Sequence, residues 1–426
     1  MTALLFMFFF FRPIMFVDIG WLVFGLNITE VFAIFATGIL IIAFILRAIA
    51  TKTINISVVD FFLFSFVIWV LFIYLLYIDR SHIKEAAKFV IPFITYFVLK
   101  NVITNVKDYA RFIKLMLIGY AIPILGSTFL IVQGKGLYTV LFWTNLSRFS
   151  GVYTNPHNLG HCMSLYLMVL AVYAVICKDH DDLIPLLKQR LFFIFSFMLS
   201  VFALYCLYKS YVRTCFFGVL IFVYYYLFRV NKRLLALLSA IMGVVLILSA
   251  AVLYTIFFDM VDSAKNPDKS QFGSGRPVIW MHNVEEFVSQ PLDGILAGVG
   301  VGNIYSHIRS RREQVGDMLN SHNDFLDVLT QTGIIGFFLF IAFQFSLFLK
   351  IRMLEGRERY IFLALFLTVT FMNFVSNSYV TRFGLGQMFY AVLAYIELPE
   401  HKVRRQERLE KVKQEADRIM EGGGRS

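Results

Sequence analysis

The chain has 426 residues, 59% apolar and only 16% charged, with a mean hydropathy of +0.72. A soluble domain is about half apolar and about a quarter charged, so a globular soluble enzyme is excluded and a polytopic membrane protein is expected. The excess of 39 Lys and Arg over 28 acids, net +11, fits the cationic inner loops of such a protein and gives no reason to invoke nucleic acid.

Apolar runs of about 20 residues, each able to cross a hydrocarbon core about 30 Å thick, recur along the whole chain. They predict an all-α bundle of about twelve spans, near 3–24, 31–50, 58–78, 86–105, 112–132, 157–177, 191–208, 212–229, 234–258, 323–349, 360–378 and 381–398. The N-terminal run has no basic leader or small-residue cleavage site, so a retained first span is expected. Cations gather in alternate connections and in the tail, which predicts both termini on the cytoplasmic side. Cys162, Cys177, Cys206 and Cys215 fall in or beside spans without paired spacing, which supports neither a zinc site nor a disulfide framework.

Four regions follow: an N-terminal membrane bundle over 1–258, an outer loop over 259–322, three C-terminal spans over 323–398 and a charged cytoplasmic tail over 399–426. The loop is long and polar in a chain of short connections. It carries Trp280, a helix-like stretch over 276–287 and a glycine cluster, and so is expected to be ordered and functional. A second outer segment, 134–157, carries Trp143, Arg148 and Tyr153 and suits the membrane surface.

The sharpest chemical constellation is Ser321-His322-Asn323-Asp324, where the loop enters the tenth span. Ser321 with Asp324 three residues on has capping-box spacing, which predicts His322 in the first helical turn. The positive helix end would there favour a neutral imidazole able to accept a proton. Lys209 and Arg213, four residues apart, are expected on one face of the eighth span or its entry turn. A guanidinium in that setting needs an anionic partner, and a diphosphate suits its fork geometry. In the loop, Gly273-Ser274-Gly275 precedes Arg276, so backbone N–H groups and a guanidinium can converge on phosphate oxygens. Arg309, Arg311 and Arg312 read as a solvated face. Two lookalikes point elsewhere. Lys178-Asp179-His180-Asp181-Asp182 reads as a solvated cytoplasmic loop and not a metal cluster. Gly298, Gly300 and Gly302 lack the flanking strand and helix of a dinucleotide site.

Three stretches, RFSGVYTNPHNLG over 148–160, SGRPVIW with PLDGILAGVGVG within 274–302, and SHNDFLDVLTQTGIIG over 321–336, together resemble the O-antigen ligase and polymerase superfamily of bacterial inner-membrane glycosyltransferases. The resemblance implies metal-independent, cofactor-free transfer of a glycan from a polyprenyl (undecaprenyl) diphosphate carrier, with the site facing the periplasm and the anomeric centre inverted. It implies that His322 positions or deprotonates the acceptor hydroxyl, that Arg276 contacts the diphosphate, and that Arg213 matches a second essential arginine by its place at the start of the eighth span. Arg148, Asn155 and Asn158 fall in a recurring family segment, and with Lys209, Trp280 and Asn323 they are expected to bind substrate. An O-antigen ligase with lipid A-core as acceptor is the first expectation. A polymerase that uses a carrier-linked repeat as acceptor is the second, and a lipid-linked glycan transporter is the alternative from another class.

Overall fold

The computed structural model describes residues 2–14, 22–23, 26–79, 83–136, 138–140, 147–248, 276–302 and 321–401, with 403 and 410. The helices are α1 (Thr2–Phe11), α2 (Ile28–Thr51), α3 (Val58–Leu76), α4 (Ile83–Val102), α5 (Val106–Gly119), α6 (Ala121–Val132), α7 (Pro156–Asp179), α8 (Arg190–Ser210), α9 (Arg213–Val230), α10 (Lys232–Leu248), α11 (Arg276–Val288), α12 (Leu292–Ala297), α13 (Asp324–Arg352), α14 (Gly356–Val375) and α15 (Phe383–Leu393). Two short antiparallel pairings, Leu22–Val23 with Leu26–Asn27 and Tyr138–Val140 with Ser147–Phe149, and two 3-10 turns, Leu186–Gln189 and Ala394–Glu397, complete the described secondary structure.

Eight segments among the described residues are long and apolar enough to cross a membrane. They account for eight of the twelve expected spans, with α5 and α6 forming one continuous crossing. The rest fall short for visible reasons. α1 ends at Phe11, α4 carries Lys84, Glu85, Lys88 and Lys100, and α15 has only 11 residues. The expected span over 234–258 is described only as far as Leu248, and 259–275, 303–320 and nearly all of the tail lie outside the described residues, as do Trp143, Gly273 to Gly275, Arg309, Arg311 and Arg312.

α7 is the central post: 78% of its apolar window is buried, against 18–61% for the other crossings. It packs on α8, α9, α14 and α5, while α13 lies on α3 and α15 on α4. A lipid-facing helix gains nothing from expelling water, so contact quality and satisfied polar groups decide such packing. α7 shows both, with Tyr166 and Cys162 fully buried and the Tyr166 hydroxyl donating to the carbonyl of Ser196 at 3.1 Å.

Polar residues collect at the two ends of this post. At its C-terminal end His180, the helix cap, is fully buried and contacts Glu358 Oε1 at 2.7 Å, and the Tyr395 hydroxyl donates to the same carboxylate. The expected solvated loop at 178–182 holds for Lys178, Asp179, Asp181 and Asp182, which are exposed, and is corrected for its histidine, a buried tie between α7 and the first turn of α14. At the N-terminal end of α7 lies the second collection, built from the loop helix α11 and the ends of α8, α9, α13, α14 and α15.

Candidate active site

The floor of this end is a turn over 376–382, clasped by two carboxylates of α13. Asp324 Oδ2 accepts the backbone N–H groups of Ser378 (2.9 Å), Tyr379 (3.1 Å) and Val380 (3.1 Å), while its Oδ1 accepts the Thr381 hydroxyl at 2.7 Å. Asp327 accepts the Ser321 hydroxyl and the Asn377 amide. Both acids are buried. A buried carboxylate is tolerable only when its lone pairs are satisfied, so these bonds fix the turn and the loop end before α13 against each other.

That arrangement corrects the expected position of His322. Asn323, not Ser321, caps α13, its side-chain oxygen accepting the N–H groups of Phe325 (3.0 Å) and Leu326 (3.1 Å). Ser321 is occupied by Asp327 and by the Trp280 indole, whose N–H donates to the Ser321 carbonyl at 2.7 Å. His322 stands one residue outside the helix, at φ +52°. A left-handed backbone costs a non-glycine residue on the order of 1–3 kcal/mol and persists only where neighbours impose it; here Ser321 and Asn323 are pinned on either side. Burial pushes the imidazole down to about 4, with Arg276 and then Arg382 acting in the same direction, so it is neutral at pH 7. The ring centre of His157, on the first turn of α7, is 6.3 Å away.

The cations arrive from separate elements. Arg276 opens α11 as expected, and its guanidinium donates to the carbonyl of Val375 at the end of α14. Arg148 Nε donates to the carbonyl of Ser210 at 3.1 Å. Tyr211, at φ +53°, turns the chain sharply so that α9 begins at Arg213. Gly160 of α7 lets this turn approach, since a Cβ there would lie 2.9 Å from Val212 Cβ. Burial lowers the proton affinity of Arg276 and Arg148, and the charge of Arg213 adds to the effect on both. Among the described residues none of Arg148, Arg213 and Arg276 forms an ion pair with a carboxylate. A fourth cation, Arg382, donates to the side-chain Oδ1 of Asn158 and, through Nε, to the backbone carbonyl of Asn377 at 2.8 Å.

The structure thus brings together Arg148, Arg213, Arg276, Trp280, His322 and Asn158. It does not gather Lys209, which ends α8 over the Tyr205 ring at 5.8 Å; with Tyr211 breaking the helix, Lys209 and Arg213 do not share one helical face. Asn155 and Asn323 have their side-chain oxygens engaged as helix caps, Asn155 accepting the N–H of Asn158 at 2.9 Å. The glycine cluster has a structural use. Gly298 (φ +79°) and Gly333 (φ +70°) meet backbone to backbone, where a Cβ on Gly333 would lie 2.2 Å from the Leu296 carbonyl oxygen. α13 is kinked at Gly333, and Gly302 N–H donates to Gln331 Oε1 at 2.8 Å. The loop helices are therefore seated on α13, beside His322.

Sequence reasoning missed Arg382, Asp324 and Asp327 as site builders. Two carboxylates in an apolar span were the available signal, because intramembrane acids are rarely idle. Arg382 offered less, being one cation in a short turn.

Residues 198–341 match the family model described as O-antigen ligase. This stretch is similar to that family. It covers about a third of the chain and contains Lys209, Arg213, Arg276, Trp280, His322 and Asn323. Arg148, Asn158 and Arg382 lie beyond it and join it in space. The superfamily resemblance is thereby supported, and the O-antigen ligase match together with the apolar helices supports a multi-pass membrane glycosyltransferase of the ligase and polymerase type. No curated protein sequence matches the chain.

Proposed function

We propose that the chain is an O-antigen ligase that transfers a glycan from a polyprenyl diphosphate carrier to a sugar hydroxyl of lipid A-core, at the periplasmic face of the bacterial inner membrane. Three guanidiniums that form no ion pair with a carboxylate among the described residues, beside an uncharged imidazole, carry the proposal. Like charges held together at a membrane boundary are costly unless an anion completes them, and the planar fork of arginine suits a diphosphate.

The chemistry balances on these groups. The acceptor oxygen attacks the anomeric carbon, the bond from that carbon to the diphosphate breaks, and the electron pair leaves with the diphosphate. Arg148, Arg213 and Arg276 stabilise the charge that develops there. His322 takes the hydroxyl proton, which a neutral imidazole can accept. Attack opposite the leaving group inverts the anomeric centre. The carrier is already activated, so the scheme needs no nucleotide.

Purified protein in lipid, given labelled carrier-linked glycan and lipid A-core, is expected to yield covalent product in the presence of a chelator. Movement of glycan across the bilayer without product would mark a transporter instead. A deletion strain separates the two family activities. Free core with accumulated carrier-linked long chains supports ligation, whereas core bearing a single repeat identifies a polymerase.

A further inference from the structure

His157 plays no part in the scheme above, yet it is the side chain whose ring faces His322 most closely, with centres 6.3 Å apart and planes inclined by 36°. It follows Pro156 in the first turn of α7, between the Asn155 cap and Asn158, whose side-chain Oδ1 is held by Arg382. α7 is the most buried of the described crossings, so the ring stands on the element most enclosed by its neighbours. Its Nδ1 is buried without a hydrogen-bond partner among the described residues.

Two features of this pair point to a ligand. A direct N–H to N bond between two imidazoles brings their centres to about 5 Å, given a donor-to-acceptor distance of about 2.9 Å. At 6.3 Å the rings are too far apart to satisfy each other and suitably spaced for one oxygen, or two neighbouring hydroxyls of one sugar, between them. Leaving a buried ring nitrogen unpaired also costs about 1–3 kcal/mol, and a molecule bound between the rings would supply the missing partner. His161, one turn further along α7, also has a buried Nδ1 with no hydrogen-bond partner among the described residues, and differs in its surroundings. It is fully buried, with Nε2 at 3.4 Å from the Ser378 hydroxyl and its ring edge on Tyr379, and so belongs to the packing under the site.

The geometry points to His157 as a second substrate-contacting imidazole, which hydrogen-bonds a hydroxyl of the acceptor sugar while His322 takes the proton. The acceptor is thereby recognised as a polyol with adjacent hydroxyls, held between the two rings on the far side of the reacting bond from the diphosphate. This inference rests on the glycosyl-transfer reading.

The test uses the full-length chain in lipid vesicles with labelled carrier-linked glycan and lipid A-core, varying each substrate separately. His157→Ala is expected to raise the KM for the acceptor by about tenfold, the equivalent of one lost hydrogen bond, with the KM for the donor essentially unchanged. Added imidazole is expected to restore part of the loss, and His157→Gln, which keeps a polar group, to fall between. An unaltered acceptor KM overturns the inference, and so does a change confined to the donor. If both variants fail to insert, His157 is a packing residue and the inference likewise falls. Absence of transfer by the unsubstituted chain, given a donor and acceptor active with another transferase, would instead defeat the underlying reading.

Discussion

The Trp280 indole donates its N–H to the carbonyl of Ser321 at 2.7 Å, so helix α11 is bonded to the residue immediately before His322. One hydrogen bond therefore joins the element that carries Arg276 to the backbone that carries the imidazole. Trp280→Phe keeps an aromatic ring on the side facing Phe374 (5.9 Å between centres) and removes that bond together with part of the indole's volume. It is expected to lower transfer by up to about tenfold, the worth of a single buried hydrogen bond, while the protein still accumulates in the membrane. Transfer assays on matched amounts of inserted protein check this.

The acid limb of the rate profile should lie unusually low. Burial, then Arg276 and Arg382, hold His322 at about 4 instead of the ordinary 6.5. Transfer should consequently stay level as pH falls from 8 through 6 and decline only towards 4, where the imidazole gains a proton. The unfolded chain, in contrast, takes up that proton near 6.5. Between the two values the unfolded state binds more protons, so this residue's contribution to stability is lost as pH falls through that window. His322→Gln should remove the low-pH limb from whatever activity remains.

Asp324 supports the turn that bears Arg382, accepting three backbone N–H groups with one carboxylate oxygen. Asp324→Asn replaces an ionic acceptor by a neutral one and introduces an N–H where acceptors are needed. A loss of about 2 kcal/mol or more is expected, since hydrogen bonds to charged groups are worth about 1.5–3 kcal/mol each. Thermal unfolding in detergent should record it as a lower midpoint. Transfer should fall as well, because Arg382 and Asn377 lose their fixed positions.

Gly333 and Gly298 touch at backbone distance, both at positive φ. Gly333→Ala combines a strained backbone with a Cβ 2.2 Å from the Leu296 carbonyl oxygen, and neither atom belongs to a side chain able to swing away. The substitution should cost about 1–3 kcal/mol and loosen α12 from α13. Limited proteolysis of the loop, compared with the unsubstituted chain, reads this directly.

Much of this was legible in the sequence where the signal was local. Apolar length alone located eight crossings, and small residues followed by an arginine marked the start of α11. Competition between equally good local signals was not legible. Ser321 and Asn323 are both favoured N-caps, and Asn323 prevails because Asp327 and Trp280 engage Ser321. Spacing predicted a shared face for Lys209 and Arg213, and a left-handed Tyr211 separated them. His157 and Arg382 stood in view, but only the packing of α7 against the turn after α14 brings them beside His322.

The most direct test compares the unsubstituted chain with His322→Ala and Arg276→Ala, each purified, reconstituted in lipid and supplied with labelled carrier-linked glycan and acceptor. The account predicts glycan covalently joined to acceptor for the unsubstituted chain and none above background for either variant, although both insert normally. Product formed at the full rate by both variants would contradict it.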